Sequence, residues 1–449
     1  MSARQRFLMM VIILFFLLGA RIGYPLDEIE TSKNPQILTL EMSIETALKN
    51  NTSITQELER LKAGGEAVKK AFADFLPKLS MSYDYTRLSE EPFVVAYGET
   101  FPVGDKDHCQ WDVTVTQPLF TGFALKSRHQ IAKTEVKIEK AVVDQTILEV
   151  VKEVKVAYFR ILLAQKYLMV AEEAVKQLQS HADDAEKFYQ QGIIPYNDLL
   201  KSAVALADAK QSRVRAESNV KLAISVFNTV LRFGINEKTE VEDILEFKPF
   251  GYSLDEAIKI ALEQRDELKA LHLSLKKTDH EIKLAKSQYY PQLNLVGNYQ
   301  RTGEDLDASR NDFENSHNES IMLQLNWLIF EWGKTRAEVS KNRYEKRGLN
   351  EKLIGTEDRI KLEVKEGYLD LLVAQENIET ARETLKQAKE NYRITDLQYQ
   401  QQITTSTEVL DARTLLTQAE TNYYNALYGY NIALAGLGRA MGEKVVTSQ

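Results

Sequence analysis

The chain has 449 residues, 27% charged and 44% hydrophobic, with a formal net charge of −8. That balance excludes a disordered or collagen-like chain, and the acidity argues against a nucleic-acid partner. A mean hydropathy of −0.34 excludes a bundle of membrane-spanning helices, and the single cysteine, Cys109, excludes a disulfide framework or a cysteine-based zinc site.

Arg4 and Arg6 precede an apolar run from Phe7 to Leu18, followed by Gly19 and Ala20. This is the layout of a secretory signal peptide, expected over residues 1–23 with an unclear cleavage site. A retained anchor is the alternative, but the run is short for a transmembrane helix, which needs about 20 residues. Removal of Arg4, Arg6 and Arg21 takes the net charge from −8 to −11. An exported, acidic protein is expected.

The first structural repeat is expected over residues 40–233. It opens with a helix from Ser43 to Phe75, ending before Pro77 as the restriction on pre-proline residues demands. Two strands follow, 79–87 and 109–120. In the first, Leu79, Met81, Tyr83 and Tyr85 alternate with polar residues, and in the second Trp111, Val113 and Val115 do. Residues 88–108 between them read as an exposed loop. A helix over 123–191 contains no Gly and no Pro, and Val154, Ile161, Leu168 and Val175 recur every seven residues. That spacing predicts left-handed coiled-coil packing over ~100 Å of helix. Gly192 and Pro195 break it, and a second helix returns over 196–233. Residues 234–253 connect to the next repeat.

The second repeat, 254–442, copies the first. Pro77-Lys78-Leu79 matches Pro291-Gln292-Leu293 and Tyr85 matches Tyr299 at an offset of 214. Phe120 matches Phe330, Tyr158 matches Tyr368 and Tyr189 matches Tyr399 at 210, so four residues differ within one surface loop. The expected elements are a helix over 255–289, strands 293–301 and 321–330, a long helix 334–401 and a helix 405–438, with 443–449 a tail. The seam Val364, Leu371, Ile378 and Leu385 continues through Tyr392 to Tyr399.

The four strands have the length that crosses an outer membrane when tilted, yet four cannot close a barrel. An open sheet edge is not tolerated in lipid, so several chains must share one barrel: two for eight strands, three for twelve. Phe75, Phe120, Tyr289, Tyr290, Trp327, Phe330 and Trp332 cluster where strands meet helices. They read as a membrane-interface girdle, with a small core beneath the sheet as the alternative.

On these features the sequence resembles the TolC family of outer membrane efflux proteins. The resemblance is carried by Ala47-Leu48 and Ala261-Leu262, by Leu76-Pro77-Lys78-Leu79 and Tyr290-Pro291-Gln292-Leu293, and by Gln117-Pro118-Leu119-Phe120-Thr121-Gly122. Further carriers are Phe188-Tyr189-Gln190-Gln191-Gly192, Tyr399-Gln400-Gln401-Gln402 and Glu408-Val409-Leu410-Asp411-Ala412. It implies a mainly α fold with a β-barrel portion: a trimeric twelve-stranded transmembrane β-barrel, four strands per chain, continued by a long periplasmic coiled-coil α-helical barrel. It implies an exit duct in the outer membrane of a Gram-negative bacterium, serving a tripartite efflux or type I secretion system. The implied partners are a second and third copy, a periplasmic adaptor, an inner-membrane pump or ABC exporter, and outer-membrane lipid. Residues 234–253 would belong to an equatorial collar. Two departures stand out. Gln402 occupies the second tip, where the family has glycine, and Leu328-Ile329-Phe330-Glu331-Trp332-Gly333 replaces a Pro–Gly strand exit.

Glu408 and Asp411 share one helix face and match, by resemblance, the carboxylates lining the closed periplasmic aperture. Rings of three would favour cations and would raise some of their pKa values. A solvated acidic patch, partly neutralised by Arg413, is the alternative. Tyr399, Gln402 and Thr404 are assigned to the gating tip. Gly192, Ile193, Ile194 and Pro195 are assigned to the adaptor-docking tip, which otherwise reads as a capped turn. Opening is expected to untwist the stretch from Tyr399 to Asp411.

No phosphate loop, G-x-S-x-G or H-E-x-x-H occurs, and no catalytic residue, cofactor or metal is expected. His108-Cys109 reads as a loop pair and His280 as a solvated helix residue. The rival reading is a secreted structural coiled coil without a pore, which leaves the lipid-length strands and the aromatic clusters unexplained. An adaptor would need one hairpin flanked by lipoyl-like halves.

Overall fold

The computed structural model describes residues 37–244, 249–313 and 315–443. The expected signal peptide and residues 444–449 of the tail lie outside the described residues. Every element below belongs to the compact unit that begins at Leu38.

The first repeat comprises α1 (Leu40–Asn50), α2 (Thr52–Ala73), β1 (Lys78–Arg87), β2 (Phe93–Ala96), β3 (Glu99–Pro102), β4 (Asp107–Phe120), α3 (Ala124–Gln190) and α4 (Tyr196–Leu231). The second comprises α5 (Leu254–Gln264), α6 (Asp266–Lys286), a 3₁₀ turn (Ser287–Tyr289), β5 (Gln292–Gly303), β6 (His317–Asn326), α7 (Lys334–Gln400) and α8 (Ser406–Met441). The chain is mainly helical and internally duplicated. α3 and α7 each span 67 residues, and α4 and α8 each span 36.

Each opening helix, read from sequence as continuous, is broken once. Asn51 has φ −65° and ψ 129°, and Arg265 has φ −61° and ψ 120°, both extended. Asn51 caps α2 by accepting from Ser53 N–H at 2.9 Å. Its Nδ2 also donates to the Val230 carbonyl at 3.4 Å, while Arg265 Nη1 donates to the Ala440 carbonyl at 2.9 Å. Val230 and Ala440 are 210 residues apart, so both breaks dock on the same point of the returning helix. Arg265, 3% exposed at its side chain, adds a bidentate pair to Glu267 (2.8 and 2.7 Å) and a contact to Glu363 at 3.1 Å. Arg439 joins Glu363 to Glu149 of α3, tying the two repeats together.

β1, β4, β5 and β6 form one antiparallel sheet in that order. The register aligns Ser80, Thr114, Asn298 and Ser320 in one row and Leu79, Val115, Gly297 and Ile321 in the next. Period-two alternation therefore sorts a polar face from an apolar one across all four strands. Asn298 Nδ2 donates to Thr114 Oγ1 at 3.0 Å on the polar face. Both outer strands, β1 and β6, are exposed along their full length.

Two expectations are corrected here. β6 ends at Asn326, not at residue 330, because its ladder stops at Gln292, just past Pro291. Trp327 to Gly333 therefore lie below the sheet. The loop 88–108 contains a small hairpin, β2–β3, turned by Tyr97 (φ 54°) and Gly98 (φ 83°).

Of the second coiled-coil seam, Val364, Leu371, Ile378 and Tyr399 are buried, while Leu385 and Tyr392 are half-buried. On α3, Leu168 and Val175 are half-buried while Val170, Ala174, Leu178 and Ala185 are buried. α3 packs against α1, α2, α4, α6 and α8, so its buried face is broader than one stripe. At mid-length, the connector is pinned by Tyr158, whose hydroxyl is shared between the Leu38 and Glu242 carbonyls (3.1 and 2.7 Å). Tyr428 donates to Asp243 at 2.9 Å beside the Lys166–Asp243 pair.

Candidate functional site

The two hairpin tips have the same backbone. At the first, the N–H groups of Gln191, Gly192 and Ile193 donate to the carbonyls of Lys187, Tyr189 and Phe188 at 3.1, 2.9 and 2.9 Å. At the second, Gln401, Gln402 and Ile403 donate to Leu397, Tyr399 and Gln398 at 3.1, 2.9 and 2.8 Å. This is the Schellman closure of a helix, which needs a left-handed residue. Gly192 supplies it at φ 71° and Gln402 at φ 61°. Ile193 and Ile403 project into solvent, Pro195 and Gln402 are exposed, and Ile194 and Thr404 are half-buried.

Behind the tips, four helices meet in a buried polar cluster that the sequence did not reveal. His181 of α3 places Nε2 2.8 Å from Ser406 Oγ of α8, and Ser202 Oγ of α4 is 2.9 Å from the same hydroxyl. The Tyr399 ring of α7 lies tilted 4.6 Å from the imidazole and edge-on 5.5 Å from Phe188. Burial pushes His181 down to about 4, against a smaller opposing pull from Asp184, so the ring is neutral at physiological pH. Burial, then the nearby Asp198 and Asp184 carboxylates, push Tyr399 up to about 12. Asp396, one turn away, is raised by burial and by Asp184. The assigned gating residue Tyr399 is thus locked in a desolvated joint between hairpins.

Glu408 and Asp411 lie on the first turns of α8, and both are exposed. Arg413 does not neutralise them. Its guanidinium is 3% exposed and turned inward, 3.5 Å from Glu420 and over the Tyr392 ring at 5.8 Å. Among the described residues the two carboxylates have no ion-pair partner. Lys201, at the matching position of the first tip, instead bridges Asp198 (3.3 Å) and Thr407 (3.1 Å).

At the other end, both strand exits use two consecutive left-handed residues: Gly122 and Phe123 (φ 60° and 69°), then Trp332 and Gly333 (φ 53° and 79°). Phe120, Phe123 and Tyr290 form an edge-on triad with centroids 5.5 to 6.5 Å apart. Phe330 and Trp332 meet at 4.9 Å, and Trp327 Nε1 donates to the Tyr289 carbonyl at 3.2 Å. Trp332 is 90% exposed in a conformation that glycine adopts without cost. A large ring kept there carries a backbone cost of about 1 kcal/mol. Phe123, Tyr289, Tyr290, Trp327, Phe330 and Trp332 are exposed at the strand–helix boundary, and Phe120 is half-buried.

His280, expected to be solvated, lines a cavity between α3 and α6, and its Nε2 is buried without a partner. Cys109 is buried. Among the described residues no group of three His, Cys, Asp or Glu side chains is placed to hold a metal ion.

The sequence matches the outer membrane efflux protein family over residues 43–225 and 257–443. It is 20% identical over 314 residues to toxin and drug export protein A of Aggregatibacter actinomycetemcomitans, covering 69% of this chain and 66% of that one. It is 20% identical over 293 residues to outer membrane protein TolC of Salmonella enteritidis, covering 64% of this chain and 59% of that one. The matches therefore span less than two thirds of the length of either relative, 66% of the first and 59% of the second. The structure is similar to the CmeC outer membrane channel of Campylobacter jejuni, with a TM-score of 0.79 at 17% identity over 94% of this chain and 90% of that one. That likeness extends to the fold.

Proposed function

The chain belongs to the outer membrane efflux protein family, and from that premise we propose that three copies form the exit duct of a tripartite efflux or type I secretion system. The observation that carries this reading is the four-stranded sheet with both edges open, running directly into two 67-residue helices. Three such sheets joined β6 to β1 give twelve antiparallel strands and leave no edge in lipid. The apolar rows then face lipid and the polar rows face the lumen.

The helices offer matching surfaces for self-association. Leu362, Leu369 and Val373 of α7 and Val204, Val214 and Leu222 of α4 are exposed apolar residues on ~100 Å and ~54 Å rods. Covering both closes the helices into a tube. Glu408 and Asp411 would then form acidic rings at its periplasmic mouth, with Lys201 alternating between them. Substrate is pushed through by an inner-membrane transporter. A periplasmic adaptor engages the tips at Gly192, Ile193, Ile194 and Pro195, and opening swings the Tyr399–Asp411 stretch outward. One relative's name refers to toxin and drug export, which fits outward cargo.

Planar-bilayer conductance of the detergent-purified protein tests this, comparing wild type with Glu408→Ala/Asp411→Ala. A small cation-selective current that grows or loses selectivity in the variant is expected. Identical currents would remove the two carboxylates from the aperture. A water-soluble, non-conducting particle that needs no detergent would overturn the duct in favour of a structural coiled coil.

A further inference from the structure

Just below the sheet, the start of α3 and the end of α6 enclose a cavity of about 300 Å³. Phe123 and Tyr290, 6.1 Å apart ring to ring, line it beside the strand ends. Lys126, Lys283, Lys286 and His280 line the remainder. Gly122 holds the walls together: a Cβ there would fall on the Ser287 carbonyl oxygen and 2.8 Å from Tyr290 Cβ.

Three features of this cavity have no explanation within the chain. Among the described residues, none of its three lysines has an acidic partner at ion-pair distance, whereas Lys269 and Lys277 on the same α6 do. Lys283 and Lys286 at least sit at a helix C-terminus, where the macrodipole favours cations. Lys126 sits in the opening turns of α3, at the positive end of a 67-residue helix whose first turn carries no acidic residue. Finally, His280, which also lines the cavity, has a buried Nε2 without a hydrogen-bond partner, a state that costs free energy.

We propose that the cavity binds the phosphate of an anionic phospholipid headgroup in the periplasmic leaflet. The lysines and His280 contact the headgroup, and Phe123 and Tyr290 lie along the start of its acyl chains. Basic pockets at a membrane boundary take anionic headgroups, and aromatic rings sit at the same depth. The site rests on the outer-membrane placement of the sheet. It is particular to this junction, because at an offset of 214 the counterparts of His280 and Lys286 are Glu66 and Phe72. One site per chain is expected.

The test is native mass spectrometry of the trimer after exchange into detergent micelles doped with cardiolipin, phosphatidylglycerol or phosphatidylcholine. Wild type should retain the two anionic lipids over phosphatidylcholine. Lys126→Gln/Lys283→Gln/Lys286→Gln should hold about tenfold less of them. Lys62→Gln/Lys221→Gln/Lys361→Gln, with three exposed lysines elsewhere, should match wild type. If the triple variant does not assemble, Lys126→Gln alone should still lower retention in a heat-resistant trimer. Equal retention by wild type and variant, or no preference over phosphatidylcholine, would overturn the proposal. Displacement by millimolar inorganic phosphate would reassign the site to free anions and overturn it too. A particle that is soluble without detergent would instead sink the outer-membrane reading beneath it.

Discussion

Four left-handed backbone positions recur at an offset of 210, and each pair contains one glycine: Gly122 with Trp332, Phe123 with Gly333, Gly192 with Gln402, and Arg232 with Gly442. The fold requires the conformation at both copies, while the residue varies. At Gln402 a Cβ in the left-handed region costs about 1–2 kcal/mol, and glycine's extra unfolded-state entropy offsets part of any relief. Gln402→Gly is therefore expected to stabilise the second tip by ~0.5–1 kcal/mol, and Gly192→Ala to weaken the first by about 1 kcal/mol. Hydrogen exchange at the tip amides reads both, and changes of the opposite sign would contradict the assignment. Trp332 is a separate case, since Trp332→Gly relieves the backbone but removes an exposed ring assigned to the membrane interface. With Trp111 and Trp327 replaced by Phe, its fluorescence should be quenched best by lipids brominated near the headgroup. Quenching by mid-chain bromines alone would place it wrongly.

His181 gives the tip a pH dependence. The groups shown against it are Asp184 on its own helix, Tyr399 on α7 and Ser406 on α8, with Ser202 of α4 behind Ser406; Asp198 acts on Tyr399, and Asp396 is acted on by Asp184. Its folded pKa of about 4 lies below the ordinary 6.5. Between those values the unfolded tip takes up a proton that the folded tip refuses. The stabilisation is complete above pH 6.5 and is lost as pH falls towards 4, reaching about 3 kcal/mol per chain at the lower end. Tip amides should lose protection between pH 7 and pH 5 in wild type and much less in His181→Phe. Equal loss in both would clear His181 of the effect.

At the scale of elements, the long helices were legible because stretches of heptad spacing, 154–175 and 364–399, sit within long runs free of proline. The strands were legible from alternation, and their ends were not, because a ladder stops where its partner stops. β6 lost Trp327–Phe330 for that reason. The helix breaks carried a readable signal in Asn51-Thr52-Ser53, an N-cap followed by small polar residues, and in Arg265-Asp266-Glu267, an acidic first turn. Both were masked by apolar spacing that continues across them. The motif put Glu408 and Asp411 together on the first turns of α8, where both are exposed. The His181–Ser202–Ser406 joint could not, since its members come from three helices and no local spacing links them. The breaks differ in energy. Arg265→Met takes the bidentate partner from Glu267 and leaves it and Glu363 with Arg439 alone, and should cost about 3 kcal/mol. Asn51→Ala removes one cap and should cost about 1 kcal/mol. Thermal unfolding of the solubilised protein should separate the two clearly, and similar midpoints would show that the Arg265 network is not structural.

For the whole molecule, the decisive feature is which sheet face meets lipid. In register, Leu323 and Leu295 lie on the apolar face, while Gln324 and Asn294 share the other. Leu323→Arg should impair folding into vesicles by about 2–4 kcal/mol, and Gln324→Arg should be tolerated. The reverse ranking would turn the sheet inside out.

The duplication carries one more consequence. Each repeat supplies two of the four strands, one long helix and one tip. Twelve strands arise equally from three whole chains or from six half-chains, so a half-length hexamer would build the same quasi-equivalent tube. What the covalent join adds is asymmetry. It lets neighbouring hairpins diverge in fixed alternation, so that carboxylates gather on one and Lys201 on the next. In the proposed trimer this makes an iris of six blades under threefold control.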